Sequence, residues 1–580
     1  MTDSLLLFTF SPVQSFIAEA RRAADLYAGS RILVELAKAA IEQIEKECGT
    51  EALIYPVSRN GDAPNKIVAR VPSEKAETVG RAASEALLAR WSKIADDALE
   101  ELKRCRFPMD SVWEQIWRRQ TGQDYLWGVF WAAARMPNEA DYPQAYRDAS
   151  RALDAVKHSR IFVSADEHDL KDSLSGTREA LRTADYKDAK KYWADIADKV
   201  KPPEIRPEGR ERLDAFGAIK RFGPIAKQQT FFSVSTVAAE DFLNDARKKA
   251  ANELVAHQQA VEELLQGHLH PVRSDLQWPY DGDLLFLETL ATERLKDSYH
   301  LARPDEGRLK AAQDSLRALH KRVERSPSPY YAIIFLDGDS MGEWISSCRT
   351  EGEHREVSKK LADFADKVNT IVPNGFRVYN GGDDVLALAP LSQALPLAQR
   401  LAIEFNKITE GRAASAGLAI AHHLYPLNAA LEAAREAEKI AKQVEGKAAV
   451  AVRVIKRSGE TVTMRSKWDS MGGLFDELLG HFVEERLSSR FAYDLIERAH
   501  IITALPDDPR KATLKQLVER HKTARMTDPN GLVDRLSQWA QALDKQVPPE
   551  KVDDREILQG CAEFGRWAVF ARFVAQGGGE

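Results

Sequence analysis

Phe376-Arg377-Val378-Tyr379-Asn380-Gly381-Gly382-Asp383-Asp384-Val385-Leu386-Ala387-Leu388 reads as an acidic hairpin. Phe376–Tyr379 and Val385–Leu388 are short β-prone runs, and Asn380-Gly381-Gly382 between them supplies the positive φ values of a tight turn. Asp383 and Asp384 then sit at the tip. Adjacent carboxylates offer hard oxygen ligands suited to Mg²⁺, and glycines without a Cβ let a phosphate chain come close to the backbone. Asp-rich turns are also common on ordinary surfaces, so the hairpin alone names no chemistry.

A second segment, Tyr330-Tyr331-Ala332-Ile333-Ile334-Phe335-Leu336-Asp337-Gly338-Asp339-Ser340-Met341-Gly342, gives it a partner. The apolar run has the length of a buried central strand and stops on Asp-Gly-Asp. With residues 354–372 as the intervening helix, a strand ending at Asp337 beside the hairpin brings Asp337, Asp383 and Asp384 together. Three such carboxylates can hold two Mg²⁺ or Mn²⁺ ions about 4 Å apart, one activating a sugar hydroxyl and one neutralising a leaving pyrophosphate. That is nucleotidyl-transfer chemistry.

Working outward, 580 residues are enough for three or four domains. A net charge of −6 argues against a uniformly basic nucleic-acid coat, so any RNA contact is local. Cys48, Cys105, Cys348 and Cys561 are far apart and form neither a disulfide framework nor a Cys-x-x-Cys site, which suits a reducing cytoplasm. Leu5–Phe10 lacks a basic leader and a cleavage site, and no stretch is long enough to span a bilayer, so neither export nor membrane insertion is expected.

Near the N-terminus the order of elements repeats. Ser4–Phe10 is a strand, residues 13–46 read as amphipathic helix, and Ala52–Val57 with Lys66–Val71 flank the turn Asn60-Gly61-Asp62. Where the later copy ends its first strand on Asp337, this one ends on Ser11-Pro12, and its hairpin offers Asp62 alone. Two palm-like α+β units with one acidic set predict a single catalytic face.

These segments resemble the Cas-ten large subunit of type III CRISPR effector complexes, in its Cmr branch. The resemblance is carried by Ser11-Pro12-Val13-Gln14-Ser15-Phe16-Ile17, Ala20-Arg21-Arg22, Asp25-Leu26-Tyr27-Ala28-Gly29-Ser30, Trp117-Arg118-Arg119-Gln120, Asp337-Gly338-Asp339, Gly381-Gly382-Asp383-Asp384 and Ala419-Ile420-Ala421-His422-His423-Leu424-Tyr425-Pro426-Leu427, in that order. It implies two ferredoxin-like palm domains of the cyclase and polymerase type: a first, non-catalytic one with a helical insertion at 1–150 and a second at 326–466. A helical middle domain with a degenerate zinc-finger region would span 151–325, and a C-terminal helical bundle 467–580.

The function so implied is an RNA-guided antiviral complex whose large subunit converts ATP to cyclic oligoadenylates when target RNA pairs with the guide RNA. Asp337, Asp383 and Asp384 would be catalytic metal ligands, with Gly338, Gly381, Gly382, Ser11, Gln14 and Lys447 on the nucleotide side. Asp339 would be a supporting acid, a surface residue or a direct metal ligand, and His422 and His423 would either border an adenine pocket or be packed. A non-catalytic structural subunit is the alternative, and a free-standing diguanylate cyclase a more distant one. The first palm strand is expected within the first ten residues and His168-Asp169 is expected to be a solvated loop, so the HD nuclease domain of many relatives, and HD-type DNA cleavage with it, is not expected of this chain.

Relatives often place two Cys-x-x-Cys pairs between the palms. Here those positions hold Asp172, Ser175, Asp214 and Gly217, a set that offers no thiolate, so no zinc is expected. Arg210, Arg212, Lys220, Arg221 and Lys227, interleaved with Phe216 and Phe222, are candidates for phosphates of a guide–target duplex or for a solvated helix face. The run Lys187–Lys191 is equally open. Lys439, Lys442 and Lys447, on or just past a helix at Leu431–Val444, are candidates for a triphosphate. From Trp468 onward, helical periodicity at Leu474–Leu487, Phe491–Ala504, Thr513–Arg525, Leu532–Asp544 and Ile557–Val574 predicts a bundle that contacts a small helical subunit in the family. Trp539, Trp567, Phe570 and Phe573 are read as its core.

Overall fold

A computed structural model describes residues 2–57, 62–159, 167, 169–186, 188–200, 205–227, 231–269, 271–272, 278–471, 473–544 and 563–578. Asn60, Gly61, His168, Lys187, Cys561 and the start of the helix expected from Ile557 lie outside the described residues.

β1 (Asp3–Ser11), β2 (Leu53–Tyr55), β3 (Lys66–Pro72) and β4 (Gly128–Met136) form an antiparallel sheet in the order β2-β3-β1-β4. The Ala23–Cys48 helix joins β1 to β2, and the Ala76–Arg104 helix lies between β3 and β4. Seven consecutive residues of β1, Ser4 to Phe10, are buried, so this strand is covered on both faces rather than alternating. The expected continuous helix over 13–46 is interrupted between Ala18 and Ala23. Lys220 causes the break: its buried ammonium donates to the carbonyls of Phe16 and Glu19, capping the short Gln14–Ala18 helix. Asp25 accepts from Arg22 N at 3.0 Å and starts the next one.

The second sheet contains β5 (Tyr330–Gly338), β6 (Arg377–Asn380), β7 (Val385–Pro390), β8 (Ala414–His422), β9 (Ala449–Ile455) and β10 (Thr461–Lys467), in the order β10-β9-β8-β5-β7-β6. Its first four strands repeat the βαββαβ order of the first sheet, and in both the spatial order is fourth, first, third, second. This is the ferredoxin-like arrangement the sequence predicts. The register sets Leu336 opposite Val385 and Asp337 opposite Ser415, so β5 delivers its acids between β7 and β8.

The chain divides into two compact units, one of residues 1–236, 244–326 and 340–383, the other of 237–243, 327–339 and 384–580. Within the first, the Glu351–Ile371 helix packs on β2. Ser358 Oγ accepts from Val57 N at 2.9 Å, Arg70 pairs with Glu351 at 3.1 Å, and His354 Nδ1 shares a 2.6 Å hydrogen bond with the Tyr142 hydroxyl.

Of the basic residues of 210–227, Lys220 and Arg221 are buried and face partners inside the fold. Arg221 is buried, donating to both Asp25 oxygens at 2.7 Å and to Glu211 at 2.9 Å, and Arg21 also reaches Glu211 at 2.6 Å. Burial alone would raise both carboxyls. The Arg221 guanidinium outweighs it, holding Asp25 well below the carboxylate range and Glu211 at about 2. Lys220 is pulled down to about 8 by burial. Arg210 pairs with Asp297 and Glu208, Arg212 donates to Gly209 O, and Lys227 pairs with Glu101. Phe216 and Phe222 are core residues.

The four positions where relatives hold cysteine make two hydrogen-bonded turns. Asp172 Oδ1 accepts from the amides of Leu174 at 2.8 Å and Ser175 at 2.6 Å, and Asp214 Oδ1 accepts from Gly217 N at 2.7 Å. The Arg178 guanidinium bridges Asp214 and Glu19, so a fixed organic cation ties this region to the loop after Ala18. Asp169 pairs with Arg182.

In the second unit the helices Leu474–Val483, Arg490–Ala504, Asp507–His521, Pro529–Asp544 and Glu563–Ala575 follow the sheet. Trp539, Trp567, Phe570 and Phe573 are buried, as expected of a bundle core. The Glu563–Ala575 helix covers the β10 edge. Trp567 Nε1 donates to Arg465 O at 3.2 Å, Arg566 donates to Thr463 O at 3.3 Å, and the Glu563 carboxylate accepts from Arg465 N. An edge strand so covered is closed to further pairing.

Candidate active site

Asp337, Asp383 and Asp384 each offer a carboxylate oxygen, and these atoms lie within 4.8 Å of one another. Asp337 and Asp384 belong to the second unit, and Asp383 precedes Asp384 by one peptide bond. All three are half-buried. Asp337 is held by β5, one residue before the strand's last, and Asp384 by the entry to β7.

The turn works differently from the sequence expectation. Among Asn380, Gly381 and Gly382, only Gly382 has positive φ, at 104°. Gly381 serves close approach instead, because a Cβ there would stand 1.9 Å from the Tyr379 hydroxyl. Asn380 anchors the base of the turn by donating from Nδ2 to Ala365 O at 2.7 Å.

Lys442 completes the site. Its ammonium pairs with Asp337 and, at 2.7 Å, with Glu438 one helical turn back on the Leu427–Lys442 helix. Burial pushes this ammonium down, but the hydrogen bonds and charges of Asp337 and Glu438 outweigh burial and raise it above the usual lysine value. The lysine is therefore charged at neutral pH and offsets the mutual repulsion of the carboxylates. Of the candidate lysines, Lys442 stands on Asp337. Lys439 is exposed, and Lys447 sits in a turn before β9 with φ of 52°. Glu438 was not among the residues expected from the sequence, although its four-residue spacing from Lys442 on one helix is a readable ion-pair pattern.

Asp339 is buried rather than on the surface and lies outside the three-acid cluster. Its Oδ2 accepts from Ser415 Oγ and from Ala448 N, both at 2.9 Å. Gly338, the last residue of β5, is buried opposite Ala414. His422 and His423 do not border the acids. His422 pairs with Tyr330 at the far end of β5, seven residues or about 23 Å of strand from Asp337. Both rings are buried and stacked, with centroids 4.8 Å apart. Ser11 ends β1 opposite Gly128, and Gln14 opens the short helix after it.

The donor set fits a divalent cation of the Mg²⁺ or Mn²⁺ type: three hard carboxylates at the end of a central strand, with no thiolate or imidazole among them. A resident ammonium on one carboxylate marks the place as one that requires positive charge.

Comparison with known proteins agrees with this geometry. Residues 330–451 match the family model described as Cas10/Cmr2, second palm domain, and residues 5–96 that of CRISPR-associated protein Cmr2, N-terminal. The chain is 27% identical over 588 aligned positions to CRISPR system Cmr subunit Cmr2 of Pyrococcus furiosus, covering 85% of this chain and 66% of the relative, slightly under two thirds of its length. Among solved structures, the Type III-B Cmr-beta apo state matches with a TM-score of 0.61 at 13% identity, and Cmr-beta bound to cognate target RNA with 0.62 at 14%. Both cover 91% of this chain, and 78% and 80% of the matched chains respectively. The fold is that of a palm-domain protein, and residues 5–96 and 330–451 carry the matches to the Cas10/Cmr2 type. The relative it resembles over most of its length is Cmr2, a subunit of a Cmr system. Among the described residues no helix is long and apolar enough to cross a membrane.

Proposed function

We propose that this chain is the large subunit of a type III CRISPR effector complex and that it converts ATP to cyclic oligoadenylates when target RNA pairs with the guide. The observation that carries the reading is the convergence of Asp337, Asp383 and Asp384 within 4.8 Å of one another, with Lys442 paired to Asp337. Mutually repelling carboxylates held together in this way suit a metal site rather than a packing role. A divalent cation bound there would supply the charge that makes a 3′-hydroxyl acidic and neutralises the pyrophosphate leaving from the α-phosphorus.

The chain's own residues then have distinct tasks. Asp337, Asp383 and Asp384 hold the cation. Gly382 keeps the turn in a left-handed shape, and Gly381 lets the Tyr379 hydroxyl pack against the turn. Lys442 and Lys447 balance triphosphate charge. The reacting hydroxyl loses its proton without a dedicated protein base, and the oxygen that leaves the α-phosphorus departs with pyrophosphate. Guide RNA, target RNA and the other effector subunits, including the small helical one, are the proposed partners, and the cytoplasm the proposed location.

The test is reconstitution of the complex with guide and complementary RNA, ATP and Mg²⁺. Wild type is expected to form cyclic adenylate product only with the complementary RNA, and Asp383→Ala with Asp384→Ala to lower the rate at least about 100-fold. Absence of product from the wild-type complex overturns the reading, as does an unchanged rate in the double variant.

A further inference from the structure

The loop before β9 is strained. Gly446, Lys447 and Ala448 have φ of 72°, 52° and 50° in succession, and two of the three carry a side chain. Left-handed non-glycine residues persist only where the surroundings hold them, and they gather at functional sites. Lys447 N donates to Val444 O at 2.8 Å, and Ala448 is held on both sides. Ala448 N donates to Asp339 Oδ2 at 2.9 Å, and Ala448 O accepts from Trp468 N at 3.0 Å. The Trp468 indole in turn donates to Ala414 O at 2.8 Å, at the end of β8 that faces Gly338.

Asp339 is unusual in what it leaves undone. The residue is only 7% exposed, one oxygen takes both hydrogen bonds, and Oδ1 is buried with no hydrogen-bond partner. Burying an unmatched carboxylate oxygen is costly, so packing alone does not explain an acid here. The neighbouring Ser415, which donates to Asp339, faces Asp337 across the β5–β8 ladder. A single hydrogen-bonded link therefore runs from the strand bearing a metal-ligand candidate to the strained loop bearing Lys447.

We propose that Asp339 is a positioning residue that fixes the Gly446–Ala448 loop, and Lys447 with it, for a nucleoside triphosphate held at the acidic cluster. The proposal rests on the nucleotidyl-transfer reading of that cluster. Asp339 acts through the loop and not as a metal ligand, so what it needs is an acceptor oxygen rather than a negative charge. An asparagine keeps that acceptor, and an alanine does not.

The experiment measures binding of a non-hydrolysable ATP analogue with Mg²⁺ to the full chain by calorimetry, alongside amide exchange at Ala448 and the KM and kcat for ATP in the assembled complex. Asp339→Ala is expected to weaken analogue binding at least about tenfold, raise KM more than it lowers kcat, and speed exchange at Ala448. Asp339→Asn is expected to stay within about threefold of wild type. Ser415→Ala, a smaller change that leaves Asp339 in place, is expected to fall between them. Equal analogue affinity in wild type and Asp339→Ala overturns the proposal, and so does an equal loss in the folded Asn variant, which would assign the charge itself the role. Wild type that binds the analogue yet makes no cyclic product removes the catalytic reading and leaves the positioning role standing. Wild type that binds no analogue removes both.

Discussion

Arg221 gives three hydrogen bonds to Asp25 and Glu211 inside the first unit, so its charge is matched within the fold. Removing the guanidinium alone would leave the buried Asp25 carboxylate without its cation and Glu211 with Arg21 alone. Arg221→Met is therefore expected to cost about 3–5 kcal/mol in denaturant unfolding, against less than about 1 kcal/mol for the exposed Arg210→Ala; equal, small effects would show that the triad is not stabilising. The sequence could not reveal this because Asp25 lies 196 residues from Arg221, and an alternation of basic and aromatic residues looks the same whether its partner is a phosphate or a distant aspartate. His354 makes a second prediction. Burial lowers it from 6.5 to about 4, where its ring is locked against Tyr142. Between those pH values the unfolded chain binds a proton that the fold refuses, so stability is full above about pH 6.5 and falls as pH drops toward 4, by about 3 kcal/mol from this group. Urea midpoints at pH 7 and 4.5 should differ less in His354→Asn than in wild type, and an identical difference would remove His354 from the acid sensitivity.

The Leu427–Lys442 helix decides where Lys442 meets Asp337, and Gly417 decides where that helix lies. A Cβ on Gly417 would stand 2.0 Å from Glu438 N and 2.4 Å from Ala434 O, both backbone atoms of the helix and neither able to rotate away. Gly417→Ala is expected to destabilise the second unit by about 1–3 kcal/mol or more and to lower product formation by displacing the Glu438–Lys442 pair; unchanged thermal unfolding and activity would show that the helix can give way freely. Elements of this kind were legible in outline. The apolar run 330–336 and the β-prone flanks of the hairpin set strand positions within a residue or two, because period and turn chemistry are local. What was not legible depends on distant partners. The gap between Ala18 and Ala23 comes from Lys220, and the left-handed run at 446–448 falls on lysine and alanine, which do not signal positive φ as glycine does.

At the scale of the chain, one strand–helix–hairpin plan occurs twice and carries its acids once. β1 ends on Ser11 where β5 brings Asp337, and the lone hairpin acid of the first copy, Asp62, is occupied by Arg31 at 2.9 Å. That asymmetry was readable because strand-end residues are part of a local motif. The pairing of Lys442 with Asp337, 105 residues apart, was not. A net charge of −6 gives the chain no uniformly basic coat, so the proposed function assigns dependence on RNA to an assembled complex and affinity for metal to the three acids of this chain. The direct measurement is Mn²⁺ binding to the full chain with a non-hydrolysable ATP analogue, followed by electron paramagnetic resonance. Wild type is expected to bind Mn²⁺, and Asp337→Ala and Asp384→Ala each to weaken that binding at least about tenfold. Wild-type Mn²⁺ affinity in the variant lacking all three carboxylates would contradict the assignment of Asp337, Asp383 and Asp384 as one metal-binding group.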